Sequence, residues 1–393
     1  MRRHLLLGSL GAVVVTAAVQ LGAGRAEPLP TLQNGADWRA SGRAEDVPHD
    51  QKAQRGRLPG EPVHHDVAAQ ALLDLRALTQ PTGAVAAGPS GPWAHAWPRD
   101  NAFVAVAHAV SGHPDDAWRT LSFFVGAQLA DGGFEARYAL DGSGPPDDRP
   151  RQTDGGGWLL WAIDAVRAEV QQPVPADLRR LRDRATDRIL ELTSDGRRLP
   201  PASPDYWEVR EARVTLGTVA PLAAGLEASA RSFAAEGDSG RAQRSGRAAA
   251  ALRTVIREHF GPGYERHGDR GGHDAGAAML LPPFADTVDP EVLAAVQAYA
   301  AEATRPAGGL APGVAWRSDG VSWTPETALV AYTAAASGDL ATATRWRDWL
   351  VQQATDWGSL PEKVLPDGSP AGPAPLAWTA ALLVLIEAEL AAG

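Results

Sequence analysis

From His64 onward, apolar positions recur at helical spacing in one segment after another, with Gly- and Pro-rich breaks between them. The pattern predicts twelve helices, near residues 64–79, 99–111, 113–130, 154–170, 175–193, 212–236, 239–260, 274–284, 288–304, 324–337, 338–355 and 375–391. Strand-like alternation is scarce. Two kinds of helix take turns along the chain. The even-numbered ones are apolar on nearly every side, as in "FVAVAHAV", "GWLLWAIDAV", "ALVAYTAAA" and "LAWTAALLVLI". The odd-numbered ones are amphipathic, as in "DLRRLRDRATDRILEL" and "RWRDWLVQQ". A helix apolar all round is enclosed by protein, whereas an amphipathic one shows a face to water. Strict alternation of the two therefore predicts an all-α fold of six helical hairpins, inner helices ringed by outer ones: an (α/α)6 barrel. A helical solenoid would need a repeated consensus, and none is present.

The first residues follow a different pattern. "MRRHLLLGSLGAVVVTAAVQLGAGRAEP" has a basic start, an apolar run from Leu5 to Leu21 and a small-residue exit. It reads as a secretory signal peptide over residues 1–26, which makes the mature chain secreted and extracellular. An uncleaved anchor is the competing reading, because the run approaches the ~18 residues of a minimal span. Residues 27–62 are polar and read as a linker or surface arm, and residues 63–393 as one helical domain. No later segment reads as membrane-spanning. A net charge of −10 with no long basic run argues against nucleic acid as a partner. The absence of cysteine removes disulfides, thiolate catalysis and Cys-ligated zinc.

In a ring of up-down hairpins, every inner helix begins at the same rim. The chemically unusual residues lie just ahead of those inner helices. Arg99 and Asp100 open the second helix, Gln152 and Asp154 the fourth, and "PDYWEVRE" precedes the sixth. "GGHDAG" opens the eighth, "WRSDGVSWTPE" precedes the tenth, and "GSLPEKVLPDGSPAGPAPLAW" leads into the twelfth. The rim thus gathers charged residues with Trp93, Trp97, Tyr206, Trp207, Trp323, Trp357 and Trp378. The chain holds 13 Trp against 7 Phe and 5 Tyr, a bias that core filling does not require. Indole faces stack on the C–H faces of sugar rings while Arg and Asp hydrogen-bond hydroxyls, so the mixture suits carbohydrate. Trp118, Trp161, Trp346 and Trp349 lie mid-helix and are expected to be structural.

Two carboxylates stand out. Glu208 follows Tyr206 and Trp207, whose apolar bulk would keep it protonated as a general acid. Glu362 lies in a Gly/Pro loop suited to an ionised base that activates water. One acid and one base flanking a glycosidic bond are the usual apparatus for its hydrolysis. The bland alternative for Glu208 is a helix-start acid favoured by the dipole, a description that fits Glu211 better.

Taken in order, "WPRD", "QTDGGGWLLWA", "PDYWEVRE", "HDAGAAMLLP", the Trp323 region and "LPEKV…PLAW" resemble glycoside hydrolase family 15 from about residue 65 to 390. This is the glucoamylase-type family, which includes glucodextranases and some trehalases. The resemblance implies an (α/α)6 barrel and hydrolysis of α-glucosides from non-reducing ends with inversion, releasing β-glucose. It makes Glu208 the general acid and Glu362 the general base. It gives Trp97, Arg99 and Asp100 to the terminal glucose, with Gln152, Asp154, Trp207, Trp323 and Trp378 as further substrate-binding residues. Inversion implies roughly 6.5–9.5 Å between the two carboxyls.

The chain departs from the family in three places. Val209 stands where a second acid commonly follows the catalytic one. The Arg-Tyr-rich stretch is reduced to "GVAWRSDGVSW", with Arg317 as a candidate substitute. "PPDDRPR" replaces a segment that carries a cleft Trp in fungal members, which favours shorter substrates. A non-catalytic carbohydrate-binding descendant is the second hypothesis. A polysaccharide lyase or a terpene-type cyclase would need a more basic cleft or an Asp-rich diphosphate motif. No cofactor and no transition-metal site is expected, since His64, His65 and Asp66 lack zinc spacing; calcium stays open, because "PDGS" and "DGSG" offer oxygens although without EF-hand spacing.

Overall fold

The structure is a computed structural model that describes residues 56–393 and the backbone of a short strand at Leu32–Asn34. The expected signal peptide lies outside the described residues, as does most of the arm. The described residues form eleven α-helices and one inner 3-10 turn. These are α1 His65–Leu78, α2 Pro98–Val110, α3 Pro114–Ala127, α4 Asp154–Val170, α5 Ala176–Leu192 and α6 Leu216–Ala235. They continue as α7 Ser239–Phe260, the 3-10 turn Ala275–Leu280, α8 Pro290–Glu302, α9 Thr324–Ala336, α10 Leu340–Gln352 and α11 Ala377–Ala392.

The two kinds of helix sort as their sequences predict. Every residue of α2 from Pro98 to Ala109 is buried, as is α9 from Thr324 to Ala335. On the outer α5, only the stripe of Leu178, Leu181, Arg182, Ala185, Thr186, Ile189 and Leu190 is buried. Around the inner ring α2 packs on α4, α4 on α6, α6 on the 3-10 turn, the turn on α9, α9 on α11, and α11 back on α2. Each inner element packs on the outer helix that follows it in the chain, and the last inner helix, α11, packs on the first outer one, α1. The fold is an (α/α)6 barrel, all-α as the alternation requires. One close approach in the ring depends on glycine: a Cβ on Gly157 of α4 would lie 2.2 Å from the Pro221 carbonyl of α6.

The eighth expected helix is the exception. Only Ala275–Leu280 is helical, and as a 3-10 turn, because Asp274 caps Gly276 and the Pro282-Pro283 pair removes the backbone donors needed to continue. The sixth starts at Leu216 rather than 212, where the Thr215 hydroxyl accepts from Thr218 N at 3.1 Å. Four short strands also form, β1 Leu32–Asn34, β2 Ser322–Trp323, β3 Lys363–Val364 and β4 Pro370–Ala374, in the order β1-β4-β3-β2. β1 pairs parallel with β4, so part of the expected linker is an edge strand.

Aromatic rings plug the barrel axis. Phe103 of α2 meets Trp158 at 5.1 Å, Trp161 at 4.9 Å and Trp378 at 5.8 Å, and Phe284 closes the cluster against Trp158 at 5.3 Å. Such pairs add about 0.5–1.5 kcal/mol each beyond their burial. Trp118, Trp161 and Trp346 are buried and Trp349 half-buried, in line with structural roles. No helix among the described residues is long and apolar enough to cross a membrane.

Candidate active site

Above the aromatic plug, at the rim where the inner helices begin, lies a cavity of about 260 Å³. Its walls hold Trp97, Arg99, Asp100, Trp207, Glu208, Trp323, Glu362 and Trp378, so eight of the ten expected site residues come together there. Gln152 reaches it through Glu208. Asp154 is not among the lining residues: its carboxylate is buried and accepts from Trp158 Nε1 at 3.1 Å.

The segment ahead of α2 supplies the key contacts. Pro98 at the first helical position pre-sets φ and lacks a donor that would be unsatisfied anyway. Asn101 ties the helix start to residue 85, donating to the Val85 carbonyl at 2.9 Å and accepting from its N–H at 2.8 Å. Two indoles four residues apart then reach in different directions. Trp93 Nε1 donates to Glu362 Oε1 at 3.0 Å, and Trp97 Nε1 donates to Glu208 Oε1 at 3.1 Å. One short segment therefore orients both carboxylates.

Glu208 sits on a tight turn. Its N–H donates to the Asp205 carbonyl at 2.9 Å, Asp205 Oδ1 accepts from Trp207 N at 2.9 Å, and Asp205 Oδ2 accepts from the Thr215 hydroxyl at 2.7 Å. At φ 57°, Glu208 holds a left-handed backbone conformation, which costs roughly 1–2 kcal/mol for a residue with a side chain. The apolar surroundings expected of it are not what the structure shows. Gln152 Nε2 donates to Oε1 at 2.6 Å, Arg149 Nη1 donates to Oε2 at 2.9 Å, and Arg99 Nη2 stands 3.5 Å from Oε1. Donors and cations surround this carboxylate because the "PPDDRPR" loop folds Arg149 back over it, anchored by Asp147.

Glu362 is held as firmly by its backbone. Its N–H donates to the Pro373 carbonyl on β4 at 2.9 Å, and its carbonyl accepts from Thr324 N at the start of α9 at 3.0 Å. Lys363 Nζ lies 2.9 Å from Oε2. Gly372 on β4, at φ 73°, leaves room for the side chain: a Cβ there would lie 2.7 Å from Glu362 Oε2.

Arg99 and Asp100 form the floor, 3.3 Å apart, with the Arg99 guanidinium 4.8 Å from the Trp378 ring centre. Burial pushes the Asp100 carboxyl up to about 6 against the pull of Arg99, and pushes Asp154 up to about 7. Arg99 is itself raised, because Asp100 and Glu208 outweigh the burial that opposes its charge. Arg99 Nε and Nη1 and the indole nitrogens of Trp207, Trp323 and Trp378 are shielded yet have no hydrogen-bond partner. Native interiors rarely leave such groups unpaired. The residues that carry them all line this cavity.

Sequence reasoning missed several residues here. Arg137, Arg149, Trp316, Glu326 and Lys363 all line the cavity. Trp316 meets Trp207 at 4.9 Å and Trp323 at 5.5 Å, joining three indoles edge to face. Arg317 is not among the lining residues; its guanidinium lies 5.5 Å from the Trp316 ring. The Trp bias was the signal for Trp316 and the rim placement of "WRSDGVSWTPE" that for Glu326, whereas Arg149 carried none. Glu211, read as a structural acid, pairs with Arg266 at 2.7 Å. No protein-family profile matches the chain. No curated protein matches it either.

Solved structures do match. A glycosidase in complex with glucose superposes with a TM-score of 0.73 at 21% identity, over 83% of this chain and 96% of that one. The glucoamylase from Saccharomycopsis fibuligera gives 0.68 at 14% identity, over 85% and 96%. A bacterial glucoamylase complexed with acarbose gives 0.66 at 18% identity, over 82% of this chain and 55% of that one. At these identities the likeness is one of fold.

Proposed function

We propose that the chain is a secreted, inverting, exo-acting α-glucoside hydrolase of the family 15 type, with Glu208 as general acid and Glu362 as general base. The observation that carries this reading is the pairing of two carboxylates across one cavity, each fixed by an indole N–H from the same segment. The glycosidase and glucoamylase neighbours, with their glucose and acarbose complexes, support carbohydrate as the ligand. A cavity of about 260 Å³ lies just below the ~300–1,000 Å³ usual for ligand sites, which suits a chain end over a chain running through. The leader-like residues 1–26 support export.

In this reading Arg99 and Asp100 grip the hydroxyls of the terminal ring over Trp378. Glu208 gives its proton to the glycosidic oxygen as the C1–O bond breaks. Glu362 takes a proton from the water that attacks C1 from the opposite face, so the product is β-glucose. Arg149 holds the oxygen of Glu208 not used by Trp97 and Gln152, and has to yield it to the leaving group. The loop that carries Arg149 therefore crowds the leaving-group side and favours short oligosaccharides. That same occupation of both Glu208 oxygens is the one observation favouring a binding-only descendant.

Proton NMR of the protein mixed with maltose, isomaltose, panose, trehalose and soluble starch decides between them. Early β-glucose from at least one substrate, lost in Glu362→Gln, is expected. Early α-glucose would overturn inversion, and no glucose from any would leave the binding-only reading. A second expected outcome concerns Gly372. Gly372→Ala should lower kcat/KM by on the order of 10²-fold, since a displacement near 1 Å at the base suffices for such a loss. Unchanged kcat/KM in that variant would show that Glu362 does not need the gap.

A further inference from the structure

We propose that Glu326 is a sugar-contacting residue of this cavity, its carboxyl hydrogen-bonding a hydroxyl of the bound ring and helping to decide which sugars fit. The inference rests on the carbohydrate reading above and extends it to a residue outside that apparatus. Glu326 is the third residue of α9, and Trp323 and Pro325 beside it line the same cavity. It is 2% exposed, and its Oε2 is shielded with no hydrogen-bond partner. An acid serving only the dipole of a helix start would stand in water and ionised. A buried carboxyl serving only the fold would be paired, since leaving it unpaired costs about 1–3 kcal/mol.

Its charged neighbours are already engaged. Arg99 of α2 pairs with Asp100 at 3.3 Å, and Lys363 of β3 pairs with Glu362 at 2.9 Å. Tyr299 of α8 also faces it, with its hydroxyl committed to the Ala311 carbonyl at 2.5 Å. Burial pushes the Glu326 carboxyl up to about 8, with Glu362 adding to the rise and Arg99 and Lys363 opposing it. At neutral pH it is therefore an uncharged acid, able both to donate through O–H and to accept through C=O. A hydroxyl answers both functions.

The test uses the full chain with Glu326→Gln and Glu326→Leu, titrated with glucose by calorimetry from pH 5.5 to 9, beside kcat and KM on a substrate the wild type cleaves. Gln keeps a donor and an acceptor, so affinity at pH 5.5 should stay within about threefold, whereas Leu should weaken it by about tenfold and raise KM more than it lowers kcat. Wild-type affinity should fall as pH rises through 8, where ionisation sets a second anion beside Glu362. The Gln variant should lack that part of the fall, a readout that survives even where Leu fails to fold. Wild-type affinity in the Leu variant, or identical pH dependence in wild type and Gln, would overturn the role of Glu326 alone. A wild type that neither binds glucose nor cleaves any α-glucoside would overturn the carbohydrate reading and this inference with it.

Discussion

Glu208→Gln is expected to lower kcat by ~10²–10⁴-fold, the usual contribution of a positioned general acid, while glucose affinity stays within a few-fold. Gln is nearly isosteric and can still accept from Trp97 Nε1, so the indole that orients this side chain keeps its partner. The left-handed turn at φ 57° is set by Asp205 and is indifferent to the change. What is lost is the proton. The Arg99–Asp100 floor and its unpartnered atoms stay as they are, so binding to the terminal ring should survive. Stopped assays on the best substrate, with calorimetry on glucose, separate the two effects. Turnover at the wild-type rate would end the assignment of Glu208, and loss of glucose binding together with turnover would indicate a collapsed pocket instead.

The barrel was legible because its signal is distributed. Burial on all sides leaves α2, α9 and α11 with no polar stripe, and that is a property of a dozen residues at once. The rim followed from topology, since inner helices of up-down hairpins share one end. The two carboxylates were visible through their aromatic and loop settings. Contacts made by single long side chains across large sequence gaps were not visible. Arg149 meets Glu208 across 59 positions, and Trp93 meets Glu362 across 269. Nothing local in "PPDDRPR" marks Arg149 as the residue that folds inward, and the same blindness led to an apolar setting being expected for Glu208. The short strands were lost for another reason: segments of two to five residues carry too few alternating positions to show a period. The eighth helix was overextended because "AGAAMLLPPF" is apolar enough to be inner, and only its proline pair reveals where it must stop.

The turn that bears Glu208 depends on an arginine that no motif in the sequence marks, and its removal should cost several kcal/mol of stability, about 3–5. Arg266 is 2% exposed and faces three carboxylates: Asp205 at 2.8 Å, Asp274 at 2.7 Å and Glu211 at 2.7 Å. Its guanidinium carbon also lies over Trp207, 3.7 Å from the ring centre. Burial opposes its charge, yet Asp205 and Asp274 outweigh that and raise it further. Burial pushes the Asp274 carboxyl up even with Arg266 beside it. Arg266→Leu would leave Asp205 and Asp274 buried without their arginine and take one partner from the half-buried Glu211, and breaking such a site by removing one partner costs about 3–5 kcal/mol. Arg266→Lys keeps the charge but not the planar fork that meets three acceptors at once, and should fall between. Urea unfolding should show a lower midpoint in the order wild type, Lys, Leu. In protein still folded, kcat should drop more than glucose affinity, because Asp205 fixes the backbone of Trp207 and Glu208 while the floor of the pocket rests on α2 and α11. A Leu variant as stable as wild type would mean that the acids relax to water or share protons without cost. A stable Leu variant with normal kcat would detach the turn from the arginine altogether.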